Sequence, residues 1–297
     1  MSDLIGFDVV WTGADGSVWD LVRGPVQITD GGFTGLGFSE FDEYTRDSPL
    51  VDGQSFDGVR QKARQVFLPL LLGVDTGTSI DWLALERAWW RSVRPNKTGT
   101  LTVTAPDGQV RSVALRFVSD GGQPYKVDPA LEAMSVAGLI MKADDPWWLA
   151  PEAGRVFEVD PTGNNFFGGL SGFGPPFTIV PANTTGAWTM ENPGDEDAWV
   201  VWVVEGPASG FRFVIDGHAI DGTIDVPSGS RLLIDTDPTV QTALLIDAAG
   251  NVSNVTQLLD SYDYARVPAG ESVPVTALVY GVGRLSVRFR PRFYRAW

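Results

Sequence analysis

Residues 143–151 read ADDPWWLAP. Two carboxylates and a proline interrupt any regular element there, and two adjacent tryptophans follow before a second proline. Neighbouring indoles serve either as a platform on which a sugar ring stacks or as an apolar plug where one folded unit ends. The flanking sequence favours the plug. Upstream, ALEAMSVAGLIMKADDPWW (130–148) fits a helix or a strand, and Met134, Val136, Gly138, Ile140 and Lys142 alternate well enough for it to be read as a strand. Downstream, GNNFFGGLSGFGPPF (163–177) is rich in Gly and Pro and has no period, so 151–185 is read as a linker holding at most a short strand at RVFEVD. The two tryptophans therefore close a first domain spanning 1–150.

Within that domain, LIGFDVVWTGADGSVWDLV (4–22) places two β-rich runs about the loop TGADGS, a hairpin pattern. The stretch from 24 to 53 is turn-rich and irregular. In VRQKARQVFLPLLLG (59–73), Arg60, Lys62 and Arg64 recur at period two, which puts them on one face of a strand before an apolar run enters a core. Pro69 marks an edge or a bulge. The one helix pattern is TSIDWLALERAWWRSVRP (78–95), with its helix expected near 80–93. Ser79 or Asp81 is the expected cap, Trp82, Leu85 and Trp89 form one stripe, and Pro95 lies beyond the end. GTLTVTAPDGQVRSVALRFVSDGG (99–122) is strand, turn, strand.

From 186 to 297 the pattern is all β. AWVVWVVEG (198–206), GFRFVIDG (210–217), SRLLIDT (230–236), TALLID (242–247) and GRLSVRFRPRFY (283–294) are separated by turns every ~8–12 residues, as in a sandwich. The expected fold class is mainly β: an N-terminal β-rich domain with one helix, then a C-terminal β-sandwich.

Composition narrows the chemistry. The 297 residues are 43% hydrophobic and 20% charged, which fits two globular domains. With no cysteine, disulfides, thiolate metal sites and cysteine nucleophiles are excluded. The start MSDLIGFDVVW has no basic n-region, and no run reaches the ~18–20 apolar residues of a membrane span, so a soluble chain made in the cytoplasm is expected. The net charge is -15, with 13 Lys+Arg against 20 Asp+Glu in 1–150 and 9 against 17 in 151–297. Both halves repel phosphate, which disfavours specific nucleic-acid binding.

The single histidine, His218 in DGHAIDG, has no G-x-S-x-G nucleophile elbow to serve and reads as a loop or strand residue. Asp216, Asp221 and Asp225 are spaced too loosely for a calcium loop and read as turn formers. GGFTGLG and GNNFFGGLSG neither link a strand to a helix nor carry the phosphate-loop lysine. No catalytic, cofactor or metal residue is therefore expected, and the chain reads as a non-enzyme. The stripe Arg60, Lys62 and Arg64 stands out, with the acidic SEFDEY (39–44) near it. Arg60, Lys62, Arg64, Glu40, Asp42 and Glu43 form a candidate intersubunit contact.

The order of these segments resembles the distal tail proteins of long-tailed phages, the siphovirus-type minor tail component at the tail tip. The carriers are the hairpin LIGFDVVWTGADGSVWDL, then LVDGQSFDGVRQKARQVFLPLLLG, and the helix DWLALERAWWRSVRP running into GTLTVTAPDGQVRSVALRFVSDGG. MKADDPWW follows, and in the second half NPGDEDAWVVWVVEGP, VPSGSRLLIDT, VPAG and VRFRPRFY. The resemblance implies an N-terminal domain that forms a hexameric ring and a galectin-like C-terminal sandwich. It implies a virion protein joining the tail tube to the tip hub and other minor tail proteins, with DNA passing through the ring without specific binding and no membrane insertion. It brings no cofactor and no active site. The alternative is a carbohydrate-binding sandwich for host surface glycans, for which the eleven tryptophans are the hint.

Overall fold

The computed structural model describes residues 6–29, 32–47, 50, 52–121, 127–157 and 183–297, with the backbone of two short strands at 164–165 and 178–179. The remainder of GNNFFGGLSGFGPPF lies outside the described residues. The chain forms two compact units, one of Met1–Pro151 with Phe293–Trp297, the other of Glu152–Arg292.

The first unit contains β1 Asp8–Thr12, β2 Val18–Asp20, β3 Val26–Ile28, β4 Phe41–Asp47, β5 Gln54–Gln61, β6 Arg64–Leu72, α1 Ser79–Ser92, β7 Gly99–Thr104, β8 Val110–Ser119, the single turn α2 Pro129–Glu132, β9 Ser135–Ala143 and β10 Trp148–Leu149. Its main sheet runs β2-β1-β7-β8-β9-β6-β3. β8 turns the sheet: it pairs with β7 over 110–115 and with β9 over 116–119, where a bulge sits between Phe117 and Ser119. The outer strands nearly meet, since Ile28 N–H donates to Leu21 C=O (2.9 Å), so the sheet curls towards a barrel.

Alternate residues fill the interior: Val66, Leu68, Leu70 and Leu72 from β6 meet Leu101, Val103, Val113, Leu115, Leu139 and Met141. Pro69 is neither edge nor bulge, because β6 lies between β9 and β3. It sits just past the end of β3, so its missing N–H breaks no ladder bond. α1 is capped by Thr78, one residue before Ser79 and three before Asp81, the expected caps; its extended backbone lets the hydroxyl accept from Asp81 N–H (3.2 Å). The helix buries Trp82 and Trp89, and its Ser92 hydroxyl accepts from Trp11 Nε1 (3.2 Å). Trp148 is fully buried and Trp147 half-buried, so this pair plugs the unit.

The second unit contains β11 Ala153–Phe157, the pair β12 Asn164–Asn165 and β13 Thr178–Ile179, then β14 Asn183–Glu191, β15 Ala198–Trp199, β16 Val201–Glu205, β17 Gly210–Ile215, β18 His218–Gly222, β19 Arg231–Asp235, β20 Thr242–Ile246, β21 Val252–Asn254, β22 Leu259–Tyr262, β23 Arg266–Val267, β24 Ser272–Tyr280 and β25 Arg284–Phe289. Two sheets, β11-β25-β16-β19-β20-β21 and β14-β24-β17-β18-β22, share one core. Trp202 from the first stacks on Phe213 from the second at 4.3 Å, and Phe211 continues the stack at 4.8 Å. This is a β-sandwich, and the chain as a whole is mainly β.

Two boundaries differ from those drawn on sequence. The expected linker 151–185 begins with β11, which is paired to β25 along its length, and ends inside β14. The short strand expected at RVFEVD overlaps β11 at 155–157, and its last three residues lie outside the described residues. The expected sandwich 186–297 loses Phe293–Trp297 to the first unit, where Phe293 and Ala296 are buried. Among the described residues, no helix is long and apolar enough to cross a membrane.

Candidate assembly surface

β4 and β5 form a two-stranded sheet of their own. Nearly every side chain on them is exposed, although the strands carry four aromatic or branched apolar residues, Phe41, Tyr44, Phe56 and Val59. An isolated ribbon of this kind is marginal in water, because half of each strand has nothing to pack against.

The register assigns the side chains to two different faces. Asp42 lies opposite Arg60, Glu43 opposite Val59 and Thr45 opposite Phe56, with a bulge that inserts Asp57 next to Gly58. By alternation, Phe41, Glu43, Thr45, Phe56, Val59 and Gln61 share one face. Its apolar members are solvated: Phe41 is 50% exposed, Phe56 64% and Val59 48%. The opposite face carries Asp42, Tyr44, Arg46, Asp57 and Arg60. There the charges pair within the hairpin, Arg46 with Asp57 (3.2 Å) and Lys62 Nζ with Asp42 (2.7 Å). The hydrogen bond from Lys62 to Asp42, with their mutual attraction, raises the ammonium above its ordinary value.

The structure separates the residues of the predicted stripe. β5 ends at Gln61 and β6 begins at Arg64, so Arg60, Lys62 and Arg64 do not share one strand. Arg60 and Lys62 are exposed with the hairpin, and Lys62 N–H donates to Glu40 C=O (2.7 Å). Arg64 is 1% exposed and belongs to the interior, which removes it from any solvated face. Its guanidinium donates to Pro146 C=O (2.7 Å), Gly35 C=O (2.8 Å), Gly37 C=O and Tyr294 C=O (2.8 Å), and it lies 5.8 Å from the Trp148 ring. Burial pushes it down to about 10, still charged at neutral pH. Glu40 and Glu43 are exposed, and Glu43 shares the apolar face.

Sequence reasoning passed over Phe41, Phe56 and Val59. The signal was the alternation in FDEYTRD and QSFDGVRQ, masked by the charges between the apolar positions and by the turns around them. In the second unit, His218 Nδ1 lies 2.8 Å from Asp263 Oδ2 on the surface, Asp221 pairs with Arg212 (3.3 Å), and Asp216 adopts a left-handed turn. Among the described residues, no three His, Asp or Glu side chains gather as a metal site would require.

Comparison with solved structures places this architecture. The Dit protein (gp 19.1) of phage SPP1, described as a paradigm of the hub adsorption apparatus in phages infecting Gram-positive hosts, superposes with a TM-score of 0.60 at 13% identity, over 97% of this chain and 99% of that one. The chain has the Dit fold. Chains of the phage P2 baseplate in its activated conformation match at 13% identity too. With Ca the TM-score is 0.55 over 96% of this chain and 98% of that one; with Sr it is 0.57 over 96% and 97%. No protein-family model matches the chain, and no curated protein matches it in sequence.

Proposed function

We propose that this chain is a structural virion protein at the distal end of a long-tailed phage tail, where it forms a ring, a homo-hexamer, that joins the tail tube to the tip hub and the host-adsorption apparatus. The likeness to hub and baseplate proteins extends over nearly the whole of both chains, which supports a tail-tip role. The observation that carries self-assembly is the β4–β5 hairpin, whose apolar face is left to solvent. Covering one such aromatic side chain is worth roughly 1–2 kcal/mol, and a closed ring repeats each contact in every subunit. Exposed ion pairs contribute much less. Arg60, Glu40 and Glu43 then rim an apolar contact, and Lys62 and Asp42 brace the arm that presents it. DNA slides through such a ring without specific binding, in keeping with the charge of -15.

We also read the chain as a non-enzyme without a cofactor. The glycan-binding alternative is less well supported, because within the sandwich Trp202 is buried, and Trp188 packs on Phe157 and Trp202 and is only partly exposed. The test of the ring is the mass of the purified chain by light scattering, with electron microscopy of the same sample. A particle near six times 32.1 kDa with a central hole is expected. A monomer at every concentration tried overturns self-assembly.

A further inference from the structure

Arg64 holds together more than its own surroundings. Gly35 and Gly37, whose carbonyls it binds, lead into β4, and Arg64 itself follows β5. Both legs of the hairpin therefore meet at one guanidinium. The same group binds the carbonyl of Tyr294, from the far end of the sequence. The Tyr294 ring stacks on Phe38 (4.9 Å between centroids), just before β4, and meets Trp147 edge-on at 5.0 Å. Ala296 N–H donates to Leu36 C=O (2.9 Å). Arg111 lies over the Phe293 ring at 3.7 Å and donates to Arg295 C=O (2.9 Å), while the Trp297 ring packs at 5.1 Å from Phe7. Each residue from 293 to 297 thus makes a contact within the first unit, and two of them, Tyr294 and Ala296, grip the base of the hairpin.

We infer that Phe293–Trp297 are a latch that fixes the base of the β4–β5 arm, so that the arm takes up its assembling position only after the second unit has been made. Glu152–Arg292 separate the two parts of the first unit, and the chain grows from its N-terminus, so at ~5–20 residues per second the latch arrives on the order of ten seconds after Pro151. Before it docks, a buried guanidinium lacks one carbonyl acceptor and Phe38 lacks its stacking partner; an unmet buried donor draws in water and loosens what surrounds it. Incomplete chains are in this way kept out of the assembly. The consequence for assembly rests on the arm being the self-associating surface; the latch itself rests only on the contacts above.

The test is hydrogen–deuterium exchange on the full chain carrying Phe41→Ser and Phe56→Ser, which keeps the arm uncovered, with and without Tyr294→Ala. Tyr294→Ala retains the carbonyl and deletes the ring, and Tyr294 is only half-buried, so the fold survives. Exchange over 33–41 and 61–66 is expected to rise at least tenfold, while 99–119 in the same unit and 198–215 in the second stay as they were. Unchanged exchange at the hairpin base overturns the latch, as does an equal rise over 99–119, which marks general loosening. A second measurement places Tyr294→Ala in the otherwise native chain and reads its mass. A looser base with reduced mass supports latch and arm together; a looser base with undiminished mass overturns the claim that the latch brings the arm into its assembling position, and loss of mass in the chain carrying Phe41→Ser and Phe56→Ser then tells whether the arm is still the assembling surface.

Discussion

The sandwich of the second unit and the β4–β5 arm of the first are built on the same alternation, with opposite outcomes. In the sandwich, each sheet turns its apolar face to the other, and Trp202 stacks on Phe213 with no solvent between. In the arm, Phe41, Phe56 and Val59 line one face in the same way, and solvent covers them. One sheet is completed by its own chain; the other, on the reading proposed above, is completed by a second copy. The difference teaches that an apolar strand face marks a core or an interface according to whether the chain supplies the second layer.

The contrast breaks most visibly in the sandwich. Trp202→Ala removes the largest buried side chain of that core and is expected to destabilise the second unit by about 3–5 kcal/mol, read as an early transition in thermal unfolding. Phe56→Ala in the monomer is expected to leave the melting curve where it was, because its side chain is exposed. Equal losses at the two positions erase the distinction between the sheets.

Arg64→Met sharpens the boundary between arm and core. It strips the donors from four carbonyls while keeping most of the apolar stem, and about 2–4 kcal/mol of first-unit stability should go with it. The matching change at Arg60, Arg60→Met, should cost little. A smaller effect follows from Asp237, whose carboxylate holds Arg292 at 2.6 Å within the second unit. Burial pushes its carboxyl up, but hydrogen bonds from Thr239 and Arg292 outweigh burial and hold it below the usual carboxylate range. A lowered folded-state value means that its stabilisation is complete above the unfolded value near ~4 and is lost as pH falls through the folded value. Asp237→Asn should therefore cost about 1 kcal/mol at neutral pH and nothing in strong acid, measured by urea titration at both pH values.

The mainly β class, the helix over the tryptophan stripe and the plug role of Trp148 were legible because each rests on local periodicity. Thr78 was missed by one residue as the cap, since Thr78, Ser79 and Asp81 are all capping residue types and stand together at the start of the helix. The return of Phe293–Trp297 to the first unit was not legible. RPRFYRAW continues a strand-like run, and nothing local shows that its aromatic residues pack against partners more than 140 positions away. The charge stripe misled for a related reason. Period two is evidence of one face only while the strand continues, and here the strand breaks between Gln61 and Arg64. Arg64 then passes inward, where a guanidinium is satisfied by carbonyls that no charge pattern reveals.

The most direct test sets the two faces of the arm against each other. The mass of the purified chain is measured by light scattering for the native sequence, for Phe41→Ser with Phe56→Ser, and for Lys62→Glu, with circular dichroism to confirm that each is folded. The native chain and Lys62→Glu are expected to share one oligomeric mass, and the double serine variant to fall to 32.1 kDa. A double serine variant that keeps the native mass, or a Lys62→Glu chain that alone becomes monomeric, would contradict the assignment of assembly to the apolar face.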